Sequence, residues 1–191
     1  MIELPNFAVP GSFSGLFMDA GFTQRGIQSA DYIPRKGSRF KGGFTFGPYT
    51  PDEGRVMVAR LIAAKQGGAR VALPLLHSQG SPGSPVTTSA TGRTLGLSGL
   101  TAGYPILEGY WLSLVKAEQH YLHSVGVGAV ASVGGTATIE LNELLRTDFA
   151  NGTVVNLAAP MVEGLLEGEE LAWQYGVDRV IPIEFMIEEK A

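Results

Sequence analysis

Cysteine is absent from the 191 residues of this chain, which excludes a disulfide framework and any thiolate nucleophile or metal ligand. Met1-Ile2-Glu3-Leu4-Pro5 lacks the basic and then apolar order of a secretion signal, so synthesis in a cytosol is expected. There is no run of roughly 18 apolar residues, the length a bilayer-crossing helix needs, and a soluble protein is expected. Charge is scarce: 17% of residues are Asp, Glu, Lys or Arg against 45% hydrophobic, a balance too apolar for disorder. The net charge is −4, and lysines and arginines nowhere gather as a phosphate-gripping face would require. The densest basic stretch, Arg35-Lys36-Gly37-Ser38-Arg39-Phe40-Lys41, reads as a strand entry with solvated or paired cations rather than a polyanion site.

Glycine is abundant instead, at 26 residues, and because it is costly inside regular elements it implies many short strands broken by turns. Against that background Thr50-Pro51-Asp52-Glu53 stands out as a helix start: a threonine cap, proline in the first turn and glutamate three residues after the cap. The helix is expected to run to about Gln66, with Gly67-Gly68 as its stop. Helical spacing gives it two apolar faces, Met57, Val58, Leu61 and Ile62 on one and Val56, Ala59 and Ala63 on another, with Arg60 between them. The larger face suits a sheet. The small-residue face, Val56, Ala59, Arg60 and Ala63, either packs within the same domain or meets a second subunit, where alanines permit close approach.

Residues 1 to 24 form an apolar, glycine-broken lead-in with Phe7, Val9, Phe13, Leu16 and Phe17, expected to be irregular and docked on its own domain or a neighbour. Phe13 and Phe17 are therefore further interface candidates. Phe40, Gly42, Phe44 and Phe46 share one face of a strand, and Ala69 to Leu75 reads as another that ends at, or lies on an edge because of, Pro74. Residues 78 to 92 are small, polar and proline-broken, and are taken as the way out of the first domain, with nothing to bury. Short strands follow near Thr94–Leu97, Trp111–Lys116, Gln119–Val125, Ala137–Leu141 and Thr153–Leu157, spaced as in a small barrel. Leu141 to Arg146 reads as one helical turn before the Asn151-Gly152 turn. Arg179 to Glu188 alternates, with Ile181, Ile183, Phe185 and Ile187 on one face, and should return to the first sheet.

Candidate chemistry is thin. Glu118, His120 and His123 are zinc-ligand types, but on a strand positions 120 and 123 point to opposite faces, and no further ligands are evident; no metal is expected. No phosphate-binding glycine loop or nucleophile turn is present, and no cofactor is expected. Glu163, Glu167, Glu169 and Glu170 read as a solvated acidic loop rather than a hydrolase pair. Tyr104, Tyr110, Trp111 and Tyr121 are either barrel core or, as the competing reading, a surface on which a sugar stacks. Residue chemistry thus points away from an enzyme.

Taken in order, Gly37-Ser38-Arg39-Phe40, the aromatic strand, Tyr49-Thr50-Pro51-Asp52-Glu53, Ala59-Arg60-Leu61-Ile62-Ala63-Ala64-Lys65 and Gly67-Gly68-Ala69-Arg70-Val71-Ala72-Leu73-Pro74 resemble the distal tail proteins of long-tailed bacteriophages. Glu108-Gly109-Tyr110-Trp111-Leu112, Ile139-Glu140-Leu141-Asn142-Glu143-Leu144-Leu145-Arg146, Asn151-Gly152-Thr153-Val154-Val155 and Ile183-Glu184-Phe185-Met186-Ile187-Glu188 extend the likeness over most of residues 20 to 190. One departure is Asn142-Glu143, where that family often has a proline-led turn.

The resemblance implies a mainly β (α+β) fold: a β-sandwich-like belt domain with one helix, from residues 1–77 plus 166–191, carrying an inserted OB- or SH3-like barrel at 78–165. It implies a virion protein, made in the host cytoplasm, forming a homo-oligomeric, hexameric ring at the distal end of a noncontractile tail. The implied partners are further copies of itself, the tail tube protein and baseplate hub or fibre proteins, with no specific nucleic-acid binding and no membrane insertion. Alternatives are another tail component, such as a tube or tube-terminating protein, or a carbohydrate-binding module.

Overall fold

The computed structural model describes residues 1–7, 11–27, 29–173 and 181–190; Val9 and Arg179 lie outside them. In chain order the elements are β1 (Ile2–Glu3), β2 (Gly11–Met18), β3 (Phe22–Arg25), β4 (Ala30–Ile33), β5 (Arg39–Tyr49), α1 (Pro51–Gly67), β6 (Ala69–Ala72), β7 (Gly83–Thr91) and β8 (Thr94–Leu100). There follow β9 (Pro105–Ile106), β10 (Trp111–Lys116), β11 (Gln119–Val127), β12 (Ala129–Val130), β13 (Ala137–Leu141), β14 (Val155–Asn156), β15 (Met161–Leu166) and β16 (Ile181–Glu189). The protein is mainly β, with 51% of residues in strands and one helix among those described. It divides into two compact units, residues 1–17, 40–76 and 161–190 in the first and 18–39 with 77–160 in the second.

The first unit holds a six-stranded sheet in the order β1-β6-β15-β16-β5-β2. β16 pairs antiparallel with β5, placing Phe185 opposite Phe44, so the chain's last strand closes the sheet its early strand began. Alternation explains the burial: Phe40 and Phe44 on β5 and Ile183, Phe185 and Ile187 on β16 all point inward. The Phe44 and Phe185 rings stack 5.4 Å apart. β6 stops at Ala72, two residues before Pro74, which cannot donate to a ladder.

The helix begins as its cap dictates. Glu53 accepts from the Thr50 backbone N–H at 3.0 Å and from its hydroxyl at 2.7 Å, and at the other end Gly68 takes φ +80° while its N–H reaches Ala64 O. Met57, Val58, Leu61 and Ala64 are buried, and α1 packs against β1, β6 and β15. Ile62, expected on the buried face, is exposed: the inward stripe is centred on Met57, Leu61 and Ala64, which leaves position 62 on its rim.

The lead-in is not irregular. Its residues 11–18 form β2, the outermost strand beside β5, because Phe13 lies 5.1 Å from Phe44 and Phe17 lies 5.3 Å from Phe40, ring to ring. Gly42 makes the first seat possible, since a Cβ there would fall 2.1 Å from the Phe13 ring.

The second unit holds a curled six-stranded sheet, β14-β10-β11-β13-β8-β7, and Val86 of β7 makes an isolated bridge to Val154, the residue before β14. Leu95, Leu97, Ile106, Leu112, Leu114 and Ile139 belong to its core. Residues 83–91, read as a connector with nothing to bury, are β7: Pro85 and Thr87 are buried, and small β-branched threonines suit a tightly curled wall. The helical turn expected over Leu141 to Arg146 is absent. The segment instead spreads its bonds across the sheet, with Leu145 N–H on Gly92 O at 2.9 Å and Arg146 Nη2 on Leu122 O at 2.8 Å. β3 and β4 form a separate two-stranded hairpin in this unit.

Candidate functional site

Most of the interface candidates lie at the surface of the first unit. β2 is the most exposed strand of the first sheet: seven of its eight residues face solvent, Leu16 at 54% and Phe17 at 51%, and among the described residues nothing pairs along its outer side. A long apolar edge of this kind is a template for another chain. Phe13 is half-buried against Phe44, whereas Phe17, on the same face of the strand, lies against Phe40 and leaves about half of its surface exposed.

On α1, Val56, Ala59, Arg60 and Ala63 are all exposed and share the face opposite Met57 and Leu61. With Ile62 they make a shallow apolar strip, free of bulky side chains at 59 and 63.

A groove of about 920 Å³ runs over the outer face of β2, β5 and β16. Its floor is Ser14, Thr45 and Glu184, the outward positions of three neighbouring strands, and one wall is the 167–173 segment with Glu170 and Trp173. Lys65, from the last turn of α1, holds that wall by donating to the carbonyls of Leu166 and Gly168, and Lys41 pairs with Glu167. The sequence reading missed this groove because its residues are spread over five elements. The Trp173 signal alone, an aromatic beside a glutamate run, marked nothing.

The hairpin was also missed, although Phe22-Thr23-Gln24-Arg25, Gly26 and Ala30-Asp31-Tyr32-Ile33 carry a readable strand-turn-strand pattern. All eight of its strand residues are exposed. Its base is fixed: Asp19 accepts from the Gly21 N–H at 2.9 Å, from Tyr32 OH at 2.8 Å and from Ser38 Oγ at 3.2 Å. Those bonds, Gly21 first, lower the Asp19 pKa, and the Asp19 carboxylate in turn raises that of Tyr32. Lys36 bonds Asp148 at 2.9 Å, lowering the pKa of that carboxyl.

The aromatics of the second unit differ in exposure. Tyr104 is buried and donates to Gln79 O, and burial pushes its phenol up to about 12; Tyr110 packs against the same core, and Trp111 is half-buried. His120 and His123 are both buried on β11. His120 Nδ1 sits 3.3 Å from Ser113 Oγ, while His123 Nδ1 meets Glu143 Oε1 at 2.7 Å, so the two rings face different partners. Among the described residues no group of His, Asp and Glu is placed to hold a metal.

The acidic run is likewise divided. Glu163 is not on a solvated loop but buried on β15, 2.6 Å from Arg70 Nε directly across the ladder on β6. Glu167, Glu169 and Glu170 are exposed. A strand pattern was hidden there because Met161, Glu163 and Leu165 alternate with Val162, Gly164 and Leu166 on a sheet whose two faces are both apolar in part.

No protein-family model matches this chain, and no curated protein matches it.

Proposed function

We propose that this protein is a structural component of a bacteriophage tail, acting as a homo-oligomeric, hexameric ring at the distal end of a noncontractile tail between tube protein and baseplate hub or fibre proteins. The first unit is read as the ring-forming belt and the second as an inserted barrel of OB or SH3-like size. The observation that carries this reading is β2, an eight-residue strand with Leu16, Phe17 and Met18 exposed, lying open along the rim of the first sheet. An edge of that length and composition is a liability in a monomer and an asset in an assembly. The apolar strip on α1 supplies a second, different patch, as head-to-tail association around a closed ring requires. A net charge of −4 suits a collar through which DNA passes without being gripped.

Function then lies in geometry, and no turnover is assigned. Another tail component, such as a tube or tube-terminating protein, would use the same edges and differ in what stacks on each face. Light scattering and negative-stain electron microscopy of the purified protein test the reading: closed rings are expected, and a species that stays monomeric at high micromolar concentration overturns it.

A further inference from the structure

We propose that the β3–β4 hairpin of one copy seats in the groove over β2, β5 and β16 of the next, with Phe22 and Ile33 against Trp173 and Met186, and Arg35 facing Glu170 and Glu184. This contact rests on the ring reading above and names the surfaces that would join.

The hairpin is built to be covered. Two strands alone are marginal in water, and these expose Phe22 at 49% and Ile33 at 43% as directly opposed partners on one face. Its base is nonetheless held rigidly, by Asp19 bridging Gly21, Tyr32 and Ser38 and by Lys36 on Asp148. A fixed stem with an exposed Phe22–Ile33 pair, followed on the same face by Gln24 and Asp31, is a preorganised prong, and little ordering remains to be done when it binds.

Charge selects the socket. In an acidic chain, residues 19–39 are locally basic, with Arg25, Arg35, Lys36 and Arg39 against Asp19 and Asp31, although Lys36 is taken up by Asp148. The Arg35 guanidinium lies 5.4 Å above the Phe22 ring, so the cation and the apolar side chain are offered together. The groove is the complement: Glu170 and Glu184 are exposed there beside Trp173 and Met186, while its one lysine, Lys65, is turned to backbone carbonyls. Prong and socket are different patches, so joining them is heterologous, and it propagates from copy to copy in the way a ring needs.

Charge reversal with rescue tests the contact. Arg35→Glu and Glu184→Arg are each expected to weaken self-association by about tenfold or more, read by sedimentation or light scattering across a concentration series. The double variant, in which the pair is inverted, is expected to recover most of that loss. Phe22→Asp, at a solvated position with the Asp19 stem intact, is expected to weaken assembly while leaving the melting temperature of the dissociated protein unchanged. If the wild type assembles but the single variants assemble equally well, or the inverted pair does not recover, this contact is wrong and the ring reading stands. If the wild type never assembles, both fall.

Discussion

His123 Nδ1 and Glu143 Oε1 lie 2.7 Å apart with both side chains buried, joining β11 to the irregular segment after β13. The Glu143 carboxyl also accepts the Ser124 N–H at 3.1 Å and the Ser124 hydroxyl at 3.2 Å, so it gathers three polar groups of β11. Glu143 thereby ties the segment after β13 to β11 at one end of the curled sheet.

Glu143→Ala should therefore strand His123 and both Ser124 donors in the interior. A loss of about 3–5 kcal/mol is expected, the usual cost of breaking a buried pair by removing one partner. Glu143→Gln, which can still accept but carries no charge, should lose less. Urea denaturation of the three proteins gives the ranking, and an alanine variant as stable as the wild type would refute the role assigned to this cluster.

Local chemistry made part of this fold legible. Thr50, Pro51 and Glu53 satisfy the helix start from within four residues, and the strands at Trp111–Lys116 and Ala137–Leu141 follow from alternation alone. What stayed hidden depends on partners far away in the chain. β7 looks like a connector because Ser84, Pro85 and Thr87 become strand residues only once β8 is beside them. Glu163 looks solvated because its partner, Arg70, is 93 positions earlier. Ile62 was misplaced by a helical wheel that cannot say where the sheet ends, and β2 reads as a tail until Phe13 and Phe17 find Phe44 and Phe40. The groove and the prong are assembled from separate strands and had no contiguous signature.

Alkaline pH should loosen both units through their buried phenols. Burial, with a smaller contribution from the Glu53 charge, pushes Tyr49 up to about 12, and burial followed by Tyr110 pushes Tyr104 to about 12. An unfolded tyrosine titrates near about 10, so the folded state keeps protons that the unfolded state releases. The associated stability is whole below the unfolded value and is lost as pH rises through the folded one. Melting temperatures should fall between about pH 10 and 12. Tyr49→Phe should flatten that fall, whereas Tyr104→Phe should also cost about 1 kcal/mol at neutral pH, because it deletes the bond to Gln79.

Acid should act at the other end of the scale on the helix start. The Thr50 hydroxyl, and then its amide, lower the Glu53 pKa, so its contribution is present above the unfolded carboxyl value and disappears as pH falls through the folded one. Glu53→Ala is expected to lower the melting temperature at neutral pH. The difference from wild type should vanish once the carboxyl is protonated in both states, and a difference that persists in acid would point to packing instead.

The attachment of β2 hangs on a gap at Gly42. With a side chain there the Phe13 ring loses its place, the Cβ position being 2.1 Å from ring carbon Cε2. Gly42→Val should detach the strand while leaving β16 paired with β5 along the rest of its length. Hydrogen exchange should show fast exchange confined to residues 11–18, and assembly should be lost with it. Phe13→Ala, which removes a half-buried ring, should cost about 1–2 kcal/mol and produce a weaker form of the same pattern.

The outward strip of α1 separates a packing role from an interface role. Ala59 and Ala63 are exposed, on the side away from Met57, Leu61 and Ala64, so Ala59→Glu and Ala63→Glu each place a carboxylate at a solvated position. Glutamate is a good helix former, and such changes at solvated positions should move the stability of the dissociated protein by less than about 0.5 kcal/mol. If the strip faces a second subunit, two carboxylates placed where small residues allowed close approach must be desolvated on association, and dissociation should rise by about tenfold or more. Val56→Ala, a loss of apolar area without added charge, should do the same more weakly. Equal assembly by all three variants and the wild type would remove α1 from the interface and leave β2, the hairpin and the groove as candidates.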